Sequence, residues 1–249
     1  MRVLSMLGSV AIAMVALTVG AQAAEVRVIS SNALTEVLAV LGPQFEKATG
    51  NTLVVHYDTT TVLKKDILDG EAFDVAILTG PAMDDLVHAS KVDPATRAEI
   101  ARSGVGVAYK TGAPAPDIHD AAAFKNAMLA AHSVAYTTAG ASGLYFMSVC
   151  DKLGIADQVK AKSKVLQGGR VAELVAHGEA ELAAQQISEL LPVAGVSIVP
   201  FPPDLQMYSS FPAAVSSTSK QPQAAAALIR FLTDPKNAPL LKSKGMEPG

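Results

Sequence analysis

The chain has 249 residues, of which 50% are hydrophobic and 17% are charged, and its formal net charge is −3. Its length predicts one large domain or two modest lobes, and its composition is typical of a soluble globular protein. The slight acidity argues against nucleic acid as a partner, because phosphate binding requires a basic surface.

The first predicted element is a cleavable secretory signal peptide over residues 1–23. Arg2 precedes the apolar run VLSMLGSVAIAMVALTVG, and the small residues AQA follow at 21–23. A charged start, an apolar middle and an A-x-A site are typical of such signals. A membrane anchor is the alternative, since the run is nearly long enough to span a bilayer. The A-x-A site favours cleavage, so we expect a periplasmic protein.

Strands and helices alternate after this segment. The stretch LTEVLAVLGPQFEKATG, for example, has apolar residues at helical spacing and ends on a glycine. The first series comprises strands at 25–30, 52–57, 73–78 and 104–110 and helices at 34–50, 62–70, 81–90 and 94–102. Its βαβαβ start predicts a parallel sheet that is covered by helices on both faces.

A second series follows the Pro/Gly-rich connection TGAPAPD at 111–117. It comprises helices at 119–130, 142–153 and 170–177, strands at 133–137, 181–186, 196–201 and 209–217, and two closing helices. Two series and a strand that returns near residue 210 predict two α/β lobes, 24–104 with 210–249 and 105–209. We expect a small ligand in the cleft between them.

Cysteine and histidine usage predicts neither a disulfide nor a metal site, and we expect no cofactor. Cys150 is the single cysteine, and its apolar helical surroundings favour a buried, inert thiol. The histidines are scattered, and none lies beside a nucleophile motif. They are His56, His88, His119, His132 and His177.

Five stretches, in chain order, resemble the periplasmic solute-binding proteins of ABC importers, in particular the molybdate-binding family. They are VISSNALTEVLAVLGPQFEKATG, YDTTTVLKKDILDGEAFDVAIL, AGASGLYFMSVCDKLGI, LVAHGEAELAAQQISELL and ALIRFLTDPKNAPLLKSKGMEP. The resemblance implies a type II periplasmic binding protein, with an α/β fold of two lobes. It also implies that a monomer captures a small anion for the membrane subunits of an ABC importer.

The family holds its oxyanion with hydroxyls and with backbone N–H groups at helix starts, where the helix dipole favours negative charge. Carried onto this chain, the family's two serines fall on Ala33 and Thr60, two further contacts fall near Ser142 and Gly169, and a tyrosine falls on Gln186. The candidate ligand-binding residues are Ser30, Ser31, Asn32, Ala33, Thr59, Thr60, Ser142, Gly143, Gly169, Arg170 and Gln186.

Two positions depart from the molybdate pattern: Ala33 replaces a serine and Gln186 replaces a tyrosine. Arg170 offers a charged fork suited to a carboxylate, although a surface charge is the alternative. The departures indicate a larger or organic anion.

The threonines at 59–61 have two interpretations, β-propensity with helix capping or hydroxyls for a ligand. Side chains alternate between the two sides of an extended segment, so the Thr60 side chain would point to the opposite side from those of Thr59 and Thr61. We predict that Thr60 contacts the ligand and that Thr59 or Thr61 caps the helix.

A binding protein without catalytic groups is the first hypothesis for the function. The second is an enzyme, since secreted proteins that resemble this family include aconitate isomerases, which move a proton and a double bond in a tricarboxylate. Such an enzyme requires a proton carrier. The candidates are His56, Tyr57, Tyr145 and Tyr208.

Overall fold

A mixed sheet runs through residues 23–249, the part of the chain that the computed structural model describes. Residues 1–22 of the predicted signal peptide lie outside it. The strands are β1 (Glu25–Ser31), β2 (Thr52–Asp58), β3 (Val75–Ile77), β4 (Ala98–Lys110), β5 (Val134–Thr137), β6 (Ser163–Leu166), β7 (Leu182–Gln186), β8 (Val196–Pro200), β9 (Tyr208–Val215) and β10 (Glu247–Pro248).

Helices cover both faces of this sheet. They are α1 (Thr35–Thr49), α2 (Thr60–Asp69), α3 (Gly80–His88), α4 (Ala121–Ala130), α5 (Ala141–Lys152), α6 (Ala156–Lys160), α7 (Ala172–Ala176), α8 (Ile187–Leu190), α9 (Pro222–Leu232) and α10 (Ala238–Ser243). None of the helices within residues 23–249 combines the length and hydrophobicity that a membrane crossing requires.

The strand order is β2-β1-β3-β9-β4-β7-β5-β6, with β8 and β10 also paired to β4. β1 pairs in parallel with β2 and β3, and β5 pairs in parallel with β6 and β7. The predicted parallel βαβαβ unit is therefore confirmed. The antiparallel strands β9 and β4 join the two parallel groups.

The predicted helix at 94–102 is wrong. The chain makes only a short 3₁₀ turn at Pro94–Thr96 and then enters β4, a strand of 13 residues. The first half of β4 pairs with β9 and its second half pairs with β7 and β8. Because Ile100 and Ala101 are both buried in the strand, tertiary pairing overrides the local helical pattern.

The hydrophobic core falls into two groups that meet at β4. Residues up to Ala101 pack with residues from Phe211 onward, on both faces of β1, β3 and β9. Residues from Val105 to Phe201 form the other group, in which Phe124 contacts Phe146 and Phe201 edge to face. This division of the core is compatible with the two predicted lobes, whose boundaries stay a prediction.

The ends of the parallel strands lie next to helix starts. β2 ends at Asp58 and α2 begins at Thr60, β3 ends at Ile77 and α3 begins at Gly80, and β5 ends at Thr137 before α5 begins at Ala141. In such folds the carboxyl edge of the sheet is the usual place for a ligand.

Cys150 is buried in α5, as predicted, and burial raises the pKa of its thiol to about 12.

Gly143 holds the start of α5 against β5, and its replacement tests that contact. A Cβ at Gly143 would overlap the Thr137 carbonyl oxygen. We therefore expect Gly143→Ala to lower the free energy of unfolding by about 2–3 kcal/mol, because backbone atoms must move. Urea denaturation measures this loss.

Gly42→Ala is the matched control, since a Cβ there meets only Leu53 Cδ1 at 3.6 Å, inside α1. It should be neutral or stabilising by up to about 1 kcal/mol. Equal effects of the two substitutions would contradict the assigned close approach.

Candidate functional site

A small cavity of ≈ 20 Å³ lies at the carboxyl ends of the strands, between the two halves of the core. One water needs roughly 10–15 Å³ of such space, so the cavity is nearly shut. The structure brings most of the predicted ligand-binding residues to its wall. They are Ser31, Asn32, Ala33, Thr59, Thr60, Ser142, Gly169 and Gln186.

Three helix starts meet at this cavity without a side-chain cap. α2, α3 and α5 are preceded by Thr59, Thr79 and Gly140, and none of these residues makes a capping hydrogen bond with its side chain. All three line the cavity. The N–H groups of a first helical turn have no partner within the helix and carry its positive dipole end. The wall is therefore electropositive without a cation.

Two hydroxyls at the wall are buried and have no hydrogen-bond partner within residues 23–249. They are Thr59 Oγ1 and Thr137 Oγ1. Leaving a buried hydroxyl unpaired costs roughly 1–3 kcal/mol, so native proteins rarely do it. A ligand oxygen in the cavity would satisfy both groups.

The threonine segment differs from the predicted extended form, because α2 begins at Thr60 rather than two residues later. Thr60 faces the cavity, and its Oγ1 accepts a hydrogen bond of 3.4 Å from Thr79 N. Thr59 takes the cap position but makes no side-chain capping bond. Thr61 is not a cap, since its Oγ1 donates to Ala139 O at 2.9 Å and so joins the two halves.

Ser30 and Gly143 lie beside the cavity rather than on its wall. Ser30 is buried and its hydroxyl donates to Ser31 O at 3.2 Å. Ser31 caps the following 3₁₀ turn, because its Oγ accepts a hydrogen bond from Ala33 N at 3.4 Å. Gly169 reaches the wall with φ +89, a left-handed conformation that favours glycine.

Arg170 does not line the cavity. Its Nη2 donates to Glu36 Oε1 at 2.6 Å, and Lys244 Nζ lies 3.8 Å from Glu36 Oε2. The contact of Arg170 with a ligand carboxylate stays a prediction, and in this arrangement the guanidinium is paired with Glu36. Its charge pair joins the two halves instead, because an acidic partner lies on the facing helix α1.

Gln186 lines the cavity, but its side-chain amide forms hydrogen bonds with the two strands that cross between the halves. In the orientation that satisfies both ends of the amide, Oε1 accepts from Ser209 Oγ at 2.7 Å. Nε2 then donates to the carbonyls of Ser103 and Gly104 at 2.9 and 3.2 Å. The amide thus ties β7 to both strands that join the lobes.

None of the four predicted proton carriers lies on the wall of the small cavity. His56 faces outward and pairs with Glu71 at 3.0 Å. Tyr145 donates to Leu205 O at 3.0 Å, and Tyr208 is 53% exposed. Tyr57 lines a neighbouring outer cavity of ≈ 370 Å³, and burial and the charge of Glu36 raise the pKa of its phenol to about 12.

Glu189 is the residue that the sequence analysis missed. It lies on α8, directly after β7. Among the lining residues that the structure describes, Glu189 alone has an ionisable side chain. Gln185 Nε2 donates to Glu189 Oε1 at 3.1 Å and to Gly169 O at 2.7 Å. Burial raises the pKa of the Glu189 carboxyl from 4.5 to about 8, while the Arg170 charge and the Gln185 hydrogen bond oppose that rise. A signal was present, since this acid follows within three residues of a strand whose last two residues are buried glutamines.

The sequence profile of a protein family, bacterial extracellular solute-binding protein, matches residues 26–247. The chain belongs to this family. An aconitate isomerase from Pseudomonas sp. is 32% identical to this solute-binding protein over 97% of the chain and 95% of that protein. The molybdate-binding protein ModA from Azotobacter vinelandii is 27% identical over 92% of both chains.

Solved structures show that the fold is that of periplasmic binding proteins. The periplasmic molybdate-binding protein of Azotobacter vinelandii matches with a TM-score of 0.76 and 18% identity, covering 90% of this chain and 99% of that one. The sulfate-binding protein SubI of Mycobacterium tuberculosis matches with a TM-score of 0.73 and 17% identity, covering 90% and 87%. The predicted resemblance and fold class are therefore confirmed.

The carboxyl of Glu189 predicts a pH dependence of stability. Its folded-state pKa of about 8 lies above the ordinary 4.5, so the folded protein keeps a proton that the unfolded chain releases. The free energy of unfolding should therefore fall as the pH rises from about 5 to about 8. Over this pH range we expect the free energy of unfolding of the wild type to fall by roughly 2–4 kcal/mol more than that of Glu189→Gln. Urea denaturation at each pH measures both values.

Glu173→Gln is the control, because Glu173 is exposed on α7. It removes the same charge and should leave the pH profile of the wild type unchanged. If Glu189→Gln also follows the wild-type profile, the carboxyl is not protonated in the folded protein.

Proposed function

We propose that this protein captures a small anion in the cavity between its lobes and delivers it to the membrane subunits of an ABC importer. The supporting observation is that two unpartnered hydroxyls and three uncapped helix starts meet in one cavity. The lining residues that the structure describes include no Lys, Arg or His. Hydroxyls and helix starts bind anions without a cation.

An organic carboxylate fits the wall better than a molybdate-type oxyanion. Ala33 offers no hydroxyl, and the amide of Gln186 is used at the chain crossing. The outer cavity shares Asn32 and Gly169 with the small one, so a longer ligand would extend from one into the other. Both anion classes remain in the proposal, because relatives of each kind match the chain.

Ligand entry requires the lobes to separate. Arg170 with Glu36 and Thr61 with Ala139 form contacts between the two halves beside the nearly shut cavity. We propose a hinge motion at the chain crossings, β4 and the segment before β9, as in other two-lobe binding proteins. We further propose a periplasmic monomer that loses its signal peptide.

An isomerase is the second candidate function. The aconitate isomerase relative matches nearly the whole chain, and Glu189 supplies the cavity with an ionisable group whose pKa lies near neutral pH. On this account the protein interconverts cis- and trans-aconitate rather than passing the anion on. Fold alone does not separate the two candidates, since one scaffold supports both.

A thermal-shift panel tests the proposed anion. The purified protein is heated with molybdate, tungstate, sulfate, citrate, cis-aconitate or trans-aconitate. A ligand at 100 times its Kd stabilises the folded state by about 2.7 kcal/mol. We expect a saturable rise of Tm with a carboxylate. If no anion raises Tm, the proposed function is wrong, and if molybdate alone does, the organic ligand is wrong.

Thr59→Val separates binding from folding. The substitution keeps the side-chain shape and removes an unpartnered hydroxyl, so the ligand-free protein should be as stable as the wild type or slightly more stable. Affinity for the stabilising anion should fall by about 1–3 kcal/mol, because a buried donor is lost. Isothermal titration calorimetry measures the affinity.

Thr52→Val is the control for this test, since Thr52 is exposed at the opposite end of β2. It should leave the affinity unchanged. Unchanged affinity in Thr59→Val as well would remove the Thr59 hydroxyl from the proposed site.

A further inference from the structure

We propose that Glu189 is the acid–base group that moves a proton on an unsaturated polycarboxylic acid bound in the cavity. This inference rests on the proposed function, since it requires a carboxylic acid in that place. It goes further by naming the residue that moves the proton and the chemical step that this residue performs.

The position of Glu189 fits this role. It lines the small cavity, and Gln185 fixes one of its carboxyl oxygens through a hydrogen bond of 3.1 Å. The Gln185 amide is itself held, because Oε1 accepts from Val171 N at 3.1 Å and Nε2 also donates to Gly169 O. A carboxyl positioned by a buried amide meets the first requirement of a general base, which is geometry.

The surrounding charges leave Glu189 able to exchange its proton. Arg170 is the cation whose charge reaches it, but its guanidinium pairs with Glu36, which also faces Lys244. Burial outweighs this attraction and places the pKa of Glu189 at about 8. Near neutral pH both forms are populated, which is the condition for efficient proton transfer in both directions.

The proposed step is an allylic proton shift. The Glu189 carboxylate takes a proton from a methylene carbon that lies between a carboxyl group and a carbon–carbon double bond. The C–H electron pair becomes a new double bond, and the electrons of the old one take the proton back from Glu189 at the far carbon. The shift is redox-neutral overall and needs no oxidant or reductant, and Glu189 ends as a carboxylate.

The rest of the wall supports the same step. Negative charge spreads onto the ligand carboxylates when the proton leaves, and donors that face them stabilise this charge. The hydroxyls of Thr59 and Thr137, which lack partners within residues 23–249, and the uncapped starts of α2 and α5 are such donors. Binding and proton transfer therefore use different groups of one cavity.

Deuterium exchange tests the assignment. The protein is incubated with trans-aconitate in D2O, and ¹H NMR follows the methylene signal and the appearance of cis-aconitate. We expect the wild type and Glu173→Gln to exchange and interconvert the ligand. Glu189→Gln should lose at least about 100-fold in both rates, the usual effect of removing a general base. Calorimetry should find its affinity for trans-aconitate within tenfold of the wild type.

The outcomes separate this inference from the proposed function. If trans-aconitate binds but the wild type does not interconvert it, or if Glu189→Gln interconverts it at the wild-type rate, Glu189 is not the proton carrier although the anion site stands. If neither aconitate nor citrate binds, both proposals fail. Should Glu189→Gln not fold, the wild-type interconversion rate must still rise with pH at about 8 or above, because a bound anion raises the pKa of Glu189 further, and a rate that is independent of pH would overturn the inference.

Discussion

The cavity between the lobes lacks a cationic side chain among its described lining residues, and most features of the site follow from that constraint. An anion there must be held by neutral donors, so uncapped helix starts and free hydroxyls converge on one point. The carboxyl of Glu189 shares this space and is accommodated in its neutral form, because burial disfavours its charge. Charge pairs such as Arg170 with Glu36 lie outside the wall and join the lobes.

Much of the fold follows from local sequence pattern. The parallel unit of β1, α1, β2, α2 and β3 is readable because apolar residues repeat at helical spacing and glycines end the helices. β4 is not readable in the same way, since its first half becomes a strand only by pairing with β9, which follows about a hundred residues later. The short helix α8 also has too few residues to show a period.

The site is predictable where it depends on the chain's local form. Thr59, Thr60 and Ser142 stand at helix starts, and Gly169 stands in a turn, so their places at the wall follow from the segments around them. The roles of Arg170, Gln186 and Glu189 depend on partners that the fold supplies: Glu36 lies 134 positions from Arg170, and Ser209 lies 23 positions from Gln186. Only the packed structure shows that Glu189, a half-buried side chain, reaches the cavity wall.

The most direct test of this account is an NMR titration of the protein labelled with ¹³C at the glutamate carboxyl carbons. The Glu189→Gln variant lacks one of these signals and thereby assigns the signal of Glu189. The account predicts that the Glu189 carboxyl titrates near pH 8, far above the ordinary value of 4.5, and that a bound anion moves the titration higher. A Glu189 carboxyl that titrates near 4.5 would contradict it, because the cavity would then hold a fixed negative charge where the anion has to bind.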